Sequence, residues 1–321
     1  MKEIDFKNLT WQRIRLALSI ALMKGEPVVL RNANSFIEKN FDSLPVYETV
    51  KRFMFETGCG ILTDSGNNLQ FIPEGLMCGE FHIETGKFTP LAEIEFLLMP
   101  SLFKQEFRSV INYSGVTHSH LSYPTVFFKE SFFALLEKIG FYGSMNLKRF
   151  GFYGSGGGSA ESRIYPAEIN PCDDIFPSRE RSIEGARVFM AGMNMDMAGK
   201  EKEFLMRSLK LEDNKVQIME VVDADGMGNS IQVYVNCGGM NIIISRDMAI
   251  YNSAGDIVFD EAKYYSSLSA LVSETERFVK TDYIPAEIAA EVIPYIIMSG
   301  SAVPEKFKDL EEFRICVELL R

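Results

Sequence analysis

Lys148-Arg-Phe-Gly-Phe-Tyr-Gly-Ser-Gly-Gly-Gly158 is the stretch that decides how this chain is read. Before it, Tyr142–Leu147 mixes apolar and polar residues; after it, Ala160, Ser162, Ile164 and Pro166 alternate with Glu161, Arg163 and Tyr165. Alternation with a period of two marks strands, so the stretch is predicted as two antiparallel strands around a glycine turn. Gly156, Gly157 and Gly158 have no Cβ and accept positive φ, which lets a ligand or another backbone come close. An ordinary two-residue hairpin turn needs no such run. Two uses stay open at this point, a loose hairpin loop and a ligand-binding loop.

Working outward, the pattern alternates between helical and extended segments. Thr10 or Asn8 caps a helix over Trp11–Lys24 that stops at Gly25, and Pro27–Asn32 follows as a buried strand. A helix over Leu44–Thr57 ends at Gly58, and strands Ile61–Thr63 and Leu69–Ile72 flank the turn residues Asp64–Asn68. The cycle then repeats as strand Glu80–Glu84, helix Pro90–Leu102, strand Arg108–Tyr113, helix Thr125–Ile139 and the two strands around the glycines. This order predicts an α/β (α+β) fold of repeated βαβαββ units, each burying its helices against one sheet face.

From Asn170–Asp174 the character changes. Pro171, Pro177 and Arg179–Arg181 mark a linker, and a helix over Lys200–Leu209 with strands at Val216–Val221, Ile231–Asn236 and Asn241–Ser245 reads as a small α/β unit. Helices Ser266–Lys280 and Pro285–Met298 are expected to return to the first body. The predicted organisation is therefore a large domain over 1–179 and 266–321 with a small inserted domain over 180–265.

The chain has 321 residues, 46% of them hydrophobic and 24% charged, enough to bury a sizeable core. No segment reaches the roughly eighteen apolar residues of a membrane span, and Met1–Asn8 is charged, so a cytoplasmic protein without membrane contact is expected. Cys59, Cys78, Cys172, Cys237 and Cys316 are scattered without a Cys-x-x-Cys pair, which predicts reduced thiols and no zinc site. With 44 acidic against 33 basic side chains the net charge is −11, so nonspecific attraction to nucleic acid is weak unless Lys129, Lys148, Arg149 and Arg163 converge in space.

The run Arg149-x-Gly151-Phe152-Tyr153-x-x-Gly156-Gly157-Gly158 resembles the Gly-Phe-Tyr-Pro-x-Gly-Gly-Gly signature of the RNA 3′-terminal phosphate cyclases, with Gly154 in place of proline. Weaker matches follow in order along nearly the whole chain. Gln12 and Arg15 match the family's first helix; Thr85-Gly86 and Ser114–Thr117 resemble two of its turns; Tyr123-Pro124-x-x-Phe127 resembles its nucleotide pocket; Ile293-Pro294 resembles its late helix. The resemblance implies repeated βαβαββ units with a small insertion, ATP and Mg²⁺ as cofactors, and RNA 3′ ends as substrate. It also implies a self-adenylylating histidine near the carboxyl end.

Here the sequence departs from the family. Its histidines are His82, His118 and His120, and Leu310 stands where the nucleophile would fall; leucine forms no phosphoramidate. The acidic-glycine leader is replaced by Lys7–Trp11. The basic loop becomes Asn32–Ser43, with Lys39 its one cation after Asn32, and the Tyr-Leu-Ala-Asp-Gln nucleotide contact becomes Glu287-Ile-Ala-Ala-Glu291. Added carboxylates raise the cost of admitting a triphosphate.

Other clusters have bland readings beside the chemical ones. In an extended segment His118 and His120 fall on one face and suit an acid–base or ligand pair, though two ligands do not make a metal site, and no metal site is expected. Thr85-Gly86-Lys87 fails the phosphate-loop pattern, since Phe81 and Phe88 stand where glycine and a hydroxyl are needed. A helix start at Thr89-Pro90 offers free N–H groups to one anion, or is simply a capped helix. Asp223–Asn229 lacks the twelfth-position glutamate of a calcium loop, where Tyr234 stands, and reads as a turn. Met190, Met193, Met195 and Met197 suit either a soft binding surface or core packing.

The expectation is thus a cyclase-like protein without adenylylation, binding an RNA end, another ligand or a protein partner. The competing class is an enzyme, either a cyclase working by a non-histidine route or an enolpyruvyl transferase-like enzyme. A basic groove at the glycine loop would favour RNA. Convergence of Arg15, Arg149 and His118 or His120 on an anion would favour an enzyme.

Overall fold

The computed structural model describes residues 1–176, 181–251, 257–258 and 260–320. The linker positions Pro177, Arg179 and Glu180 lie outside the described residues.

Two units share one topology. The first runs β1 (Lys2–Ile4), α1 (Trp11–Lys24), β2 (Val28–Leu30), α2 (Ala33–Lys39), α3 (Ser43–Thr57), β3 (Gly60–Ser65) and β4 (Asn68–Pro73). Its sheet order is β1-β2-β4-β3, with β1 and β2 parallel and the rest antiparallel. The second runs β5 (Glu80–Glu84), α4 (Leu91–Phe103), β6 (Ser109–Gly115), α5 (Thr125–Phe127), α6 (Phe133–Glu137), β7 (Gly143–Arg149) and β8 (Gly158–Ile164). Its order β5-β6-β8-β7 repeats the same parallel and antiparallel pairings. The βαβαββ repeat read from the sequence is present twice.

Helix α1 shows why such local readings hold. Thr10 accepts from the Arg13 N–H at the start, and Gly25 closes the end at φ 70°, a conformation that costs a residue with a Cβ. The apolar positions of α1 pack on α4, whose thirteen residues are all buried. Two of those are glutamates, Glu93 and Glu95, and each has partners: Trp11 and Arg15 for Glu93, Tyr113 and Ser162 for Glu95.

The predicted helix over Thr125–Ile139 is interrupted. Between α5 and α6 the chain widens into a π-helical turn at Phe128–Phe132, and the Ser131 hydroxyl there accepts from the Ile243 N–H at 2.8 Å. The stretch Asn32–Ser43, read as a loop, contains the short helix α2, and residues 311–320 form a helix that the pattern reading did not separate from the tail.

A third sheet is built from β9 (Arg181–Ala191), β10 (Val216–Glu220), β11 (Gly228–Cys237) and β12 (Met240–Asp247), in the order β10-β9-β11-β12. Helices α7 (Met195–Leu209) and α8 (Glu261–Lys280) pack on it, and a two-stranded ribbon of β13 (Ile250–Tyr251) and β14 (Ile257–Val258) lies between β12 and α8 in sequence. A boundary at residue 265 falls inside α8, whose most extensive contacts are with β12, β9, α7 and β11. Helices α9 (Ala286–Ser299) and α10 (Glu311–Leu320) pack on α4 and α1 respectively. None of the described helices is long and apolar enough to cross a membrane.

Candidate functional site

The glycine hairpin is filled by protein. The Gly151 carbonyl accepts from the N–H groups of Thr117 and His118 at 2.8 and 3.0 Å, and the Gly154 N–H donates to Lys87 O at 2.8 Å. A Cβ on Gly151 would sit 2.3 Å from the Gly115 carbonyl and from the Gly158 nitrogen. Gly156 and Gly157 have φ near +72°, and a Cβ on them would press on the Gly86 carbonyl at 2.8 Å and on Asp225 at 2.2 Å. The close approach foreseen for this loop is thus made by the 85–87 turn on one side and the 223–228 turn of the third sheet on the other. Arg149 seals the second contact, with Nη2 2.6 Å from Asp225 Oδ1 and Nε donating to the Asp223 carbonyl at 3.3 Å.

Several residues expected near a ligand are used structurally. Thr85 is buried, and its hydroxyl accepts from the Val116 N–H at 3.3 Å beside Gly86. The Thr89 hydroxyl donates to the Pro45 carbonyl, and the Leu91 N–H, which would face an anion, donates to Val116 O. Phe127 is wholly buried and stacks on Tyr123 at 4.0 Å, so Tyr123 and Pro124, not Phe127, reach the cleft described below. Tyr153 is buried against Phe88 and His120, with its hydroxyl 3.4 Å from Asp42. Asp223 and Asp225, the start of the calcium-like loop, face Arg149, and among the described residues no group of carboxylates, histidines and cysteines could hold a metal ion. Met190 is core, and Met193 and Met197 pack against it.

His118 and His120 do not form a pair. Residues 116–123 make only isolated bridges and not a regular strand, so the same-face expectation fails. His120 opens on the main cleft, while His118 lines a separate cavity. His118 is buried, stacks on Phe150 at 4.8 Å, and is held near a pKa of about 3 because burial disfavours its charged form.

The main cleft, about 500 Å³, lies between the first two units and the third sheet. Trp11, Gln12, His120, Tyr123 and Pro124 line one side; Ser230 and residues 243–247 line the other. Five carboxylates also line it: Glu93, Asp247, Glu274, Glu287 and Glu291. Arg246 is paired with Glu274 at 2.6 Å. Arg15 sits beneath the cleft, buried, with Nε 2.9 Å from Glu93 and its guanidinium bonded to Glu291. Burial alone would lower the Arg15 pKa, but Glu291 and Glu93 together hold it above its ordinary value, so the guanidinium stays charged and occupied. Gln12 donates to the same Glu291 oxygen at 2.6 Å.

Glu93, Arg246, Asp247 and Glu274 escaped the sequence reading. For Glu93 a signal existed, because glutamate inside an otherwise apolar helix is buried only with a partner. Asp247, pushed up to about 7 by burial, had no such signal, since its neighbours come from distant segments.

Leu310 lies on a different surface, at the start of α10, beside Lys7, Arg13 and Glu311. Glu311 accepts from the N–H groups of Lys7 and Asn8, and Arg13 lies 2.7 Å from Glu312. The four basic residues do not come together at one place: Lys148 and Arg163 share Glu161, Arg149 sits on Asp225, and Lys129 lines the separate cavity of His118.

Twin βαβαββ units, a glycine-rich hairpin joining the second of them to a further four-stranded sheet, and a cleft between the two bodies define a class of mixed α/β protein. Residues 46–309 match the family described as RNA 3′-terminal phosphate cyclase, and the chain belongs to that family. Curated relatives of that name agree. One from Pseudomonas aeruginosa is 26% identical over 73% of this chain and 69% of its own. One from Koribacter versatilis is 21% identical over 97% of this chain and 85% of its own, and one from Metallosphaera sedula is 25% identical over 76% and 73%.

Proposed function

We propose that this protein retains the cyclase fold as a binding protein and has lost ATP-driven cyclisation of RNA 3′-phosphates. The observation that carries this reading is Glu291: its carboxylate takes up both Arg15 and Gln12, the two residues that match the family's first helix. With Glu93, Glu274 and Glu287 around it, the cleft opposes a polyanion, and the residues present do not fit a triphosphate. Leu310 at the nucleophile's position supports the same reading, as no imidazole is offered there for adenylyl transfer. A neutral or cationic group suits this cleft better than a nucleotide. Family membership brings an RNA 3′ end as the partner to test, engaged without turnover and outside this acidic cleft. The third sheet with α7 and α8 is proposed as the inserted unit.

The test is incubation of the protein with 3′-phosphorylated RNA, ATP and Mg²⁺, following 2′,3′-cyclic phosphate and the intact protein mass. The expected result is no product above the protein-free control and no AMP adduct. Turnover would overturn the reading and direct the search to a nucleophile other than histidine. Fluorescence anisotropy with 3′-phosphate and 3′-hydroxyl RNAs then measures end recognition.

A further inference from the structure

The cavity lined by His118 is separate from the acidic cleft and has the opposite chemistry. It encloses about 240 Å³ where the third sheet meets edge strand β7 and the π-helical turn. The register explains its polarity. Arg187 of β9 pairs with Gln232 of β11, and side chains two apart share a face, so Arg187, Phe189 and Gln232 stand together towards the first body. Their neighbours Val188, Ile231 and Val233 are buried on the other face.

Two buried donors meet there. Thr117 Oγ1 lies 2.9 Å from His118 Nδ1 and 3.1 Å from the Gly151 carbonyl. The hydroxyl has one proton for these two acceptors. The carbonyl already accepts from two N–H groups, and Oγ1 itself already accepts from the Gly151 N–H at 2.9 Å. We therefore assign that proton to Nδ1 rather than to the carbonyl, which leaves the imidazole N–H on Nε2. His118 is 1% exposed, and its Nε2 has no partner among the described residues. Gln232 is 0% exposed; its Oε1 accepts from the Tyr234 hydroxyl at 3.0 Å, and its Nε2 likewise has no partner. A buried donor left without an acceptor is unfavourable, so two lining one cavity call for an acceptor.

Charge around the cavity favours an anion. Lys129 lines it and makes no ion pair among the described residues, and Arg187 lies over the Tyr234 ring at 4.7 Å, donating to its hydroxyl. Glu130 is the one carboxylate in the lining. Two cations against one carboxylate is the reverse of the acidic cleft.

We propose that this cavity binds a small oxyanion, a phosphate or carboxylate group, whose oxygens accept from His118 Nε2 and the Gln232 amide while Lys129 and Arg187 supply the positive charge. His118 serves as a neutral donor throughout the physiological range. The site is independent of the reading given to the acidic cleft.

Thermal unfolding and calorimetry with inorganic phosphate, and separately acetate, at fixed ionic strength test it on the full chain. Saturable stabilisation by one of the anions is expected, at least tenfold weaker in the Lys129→Met/Arg187→Met double variant, whose altered side chains are exposed. The imidazole ¹⁵N–¹H resonance of His118 should shift with the same midpoint, which a merely structural role would not produce. No saturable response in the wild type, an equal response in the double variant, or a crystal structure grown in phosphate with only water in the cavity would each overturn the proposal.

Discussion

Arg15 and Glu291 form a buried ion pair beneath the main cleft, joining the first helix of the chain to one of its last. Removing one partner of such a pair strands a charge in a low-dielectric setting, typically at a cost of about 3–5 kcal/mol. Glu93 remains 2.9 Å from Arg15, so the loss for Glu291→Gln should fall at or below the lower end of that range. Urea unfolding should show it as a lower midpoint with an unchanged slope, and the same variant should bind nucleotide triphosphates better than wild type. Unchanged stability would mean that the pair is not formed in solution.

Restoring the missing imidazole should not restore chemistry. Leu310→His is expected to give no AMP adduct by intact mass with ATP and Mg²⁺, because position 310 lies on a different surface from the cleft, where Arg15 and Gln12 stay committed to Glu291. Adduct formation in this single variant would show that Leu310 alone blocks adenylylation.

The glycine hairpin predicts a contrast between two substitutions. Gly66→Ala meets no atom within 4 Å and bears only the strain of φ 61°, about 1 kcal/mol. Gly151→Ala meets backbone at 2.3 Å on two sides and cannot be relieved by a rotamer change. It should cost upwards of about 3 kcal/mol or prevent folding. Similar unfolding midpoints for the two variants would contradict the packing described.

Glu95 makes stability depend on pH. Burial pushes its pKa up from 4.5 to about 7, against the hydrogen bonds from Ser162 and Tyr113. Between those values the folded state binds more protons than the unfolded one, so this group's contribution falls as pH rises through the window and is level above it. At about 1.4 kcal/mol per unit the fall amounts to as much as about 3 kcal/mol. His118 acts oppositely, its contribution rising with pH from about 3 to 6.5. Comparing wild type with Glu95→Gln isolates the first effect: the variant should lose less stability between pH 4.5 and 7. Parallel profiles would assign the carboxylate an ordinary pKa.

Much of the fold was legible because its signals are local. Helix α1 runs over Trp11–Lys24 as its caps predict, and β5 occupies Glu80–Glu84. The hairpin strands around the glycines follow from period-two alternation, and Ala160, Ser162 and Ile164 are indeed the buried set. The π-helical turn was not legible, as it answers to Ser131 meeting a strand more than a hundred residues away. For the same reason the partners of α8 were not legible: its apolar stripe shows that it packs, not on what. At the site, the carboxylates at Glu287 and Glu291 could be read from the sequence, but their capture of Arg15 and Gln12 required knowing that the two ends of the chain meet.

Strand β11 bears on both cavities at once. Ser230 looks into the acidic cleft and Gln232, two positions on and on the same face, into the cationic one, so the two compartments lie along one shared wall. Arg149 and the glycine hairpin pin that wall near residues 225–228, and Ser131 pins its neighbour β12 at Ile243. Lengthening the hairpin, or giving it side chains, would therefore resize two rooms of opposite charge together, and neither could be reshaped without the other.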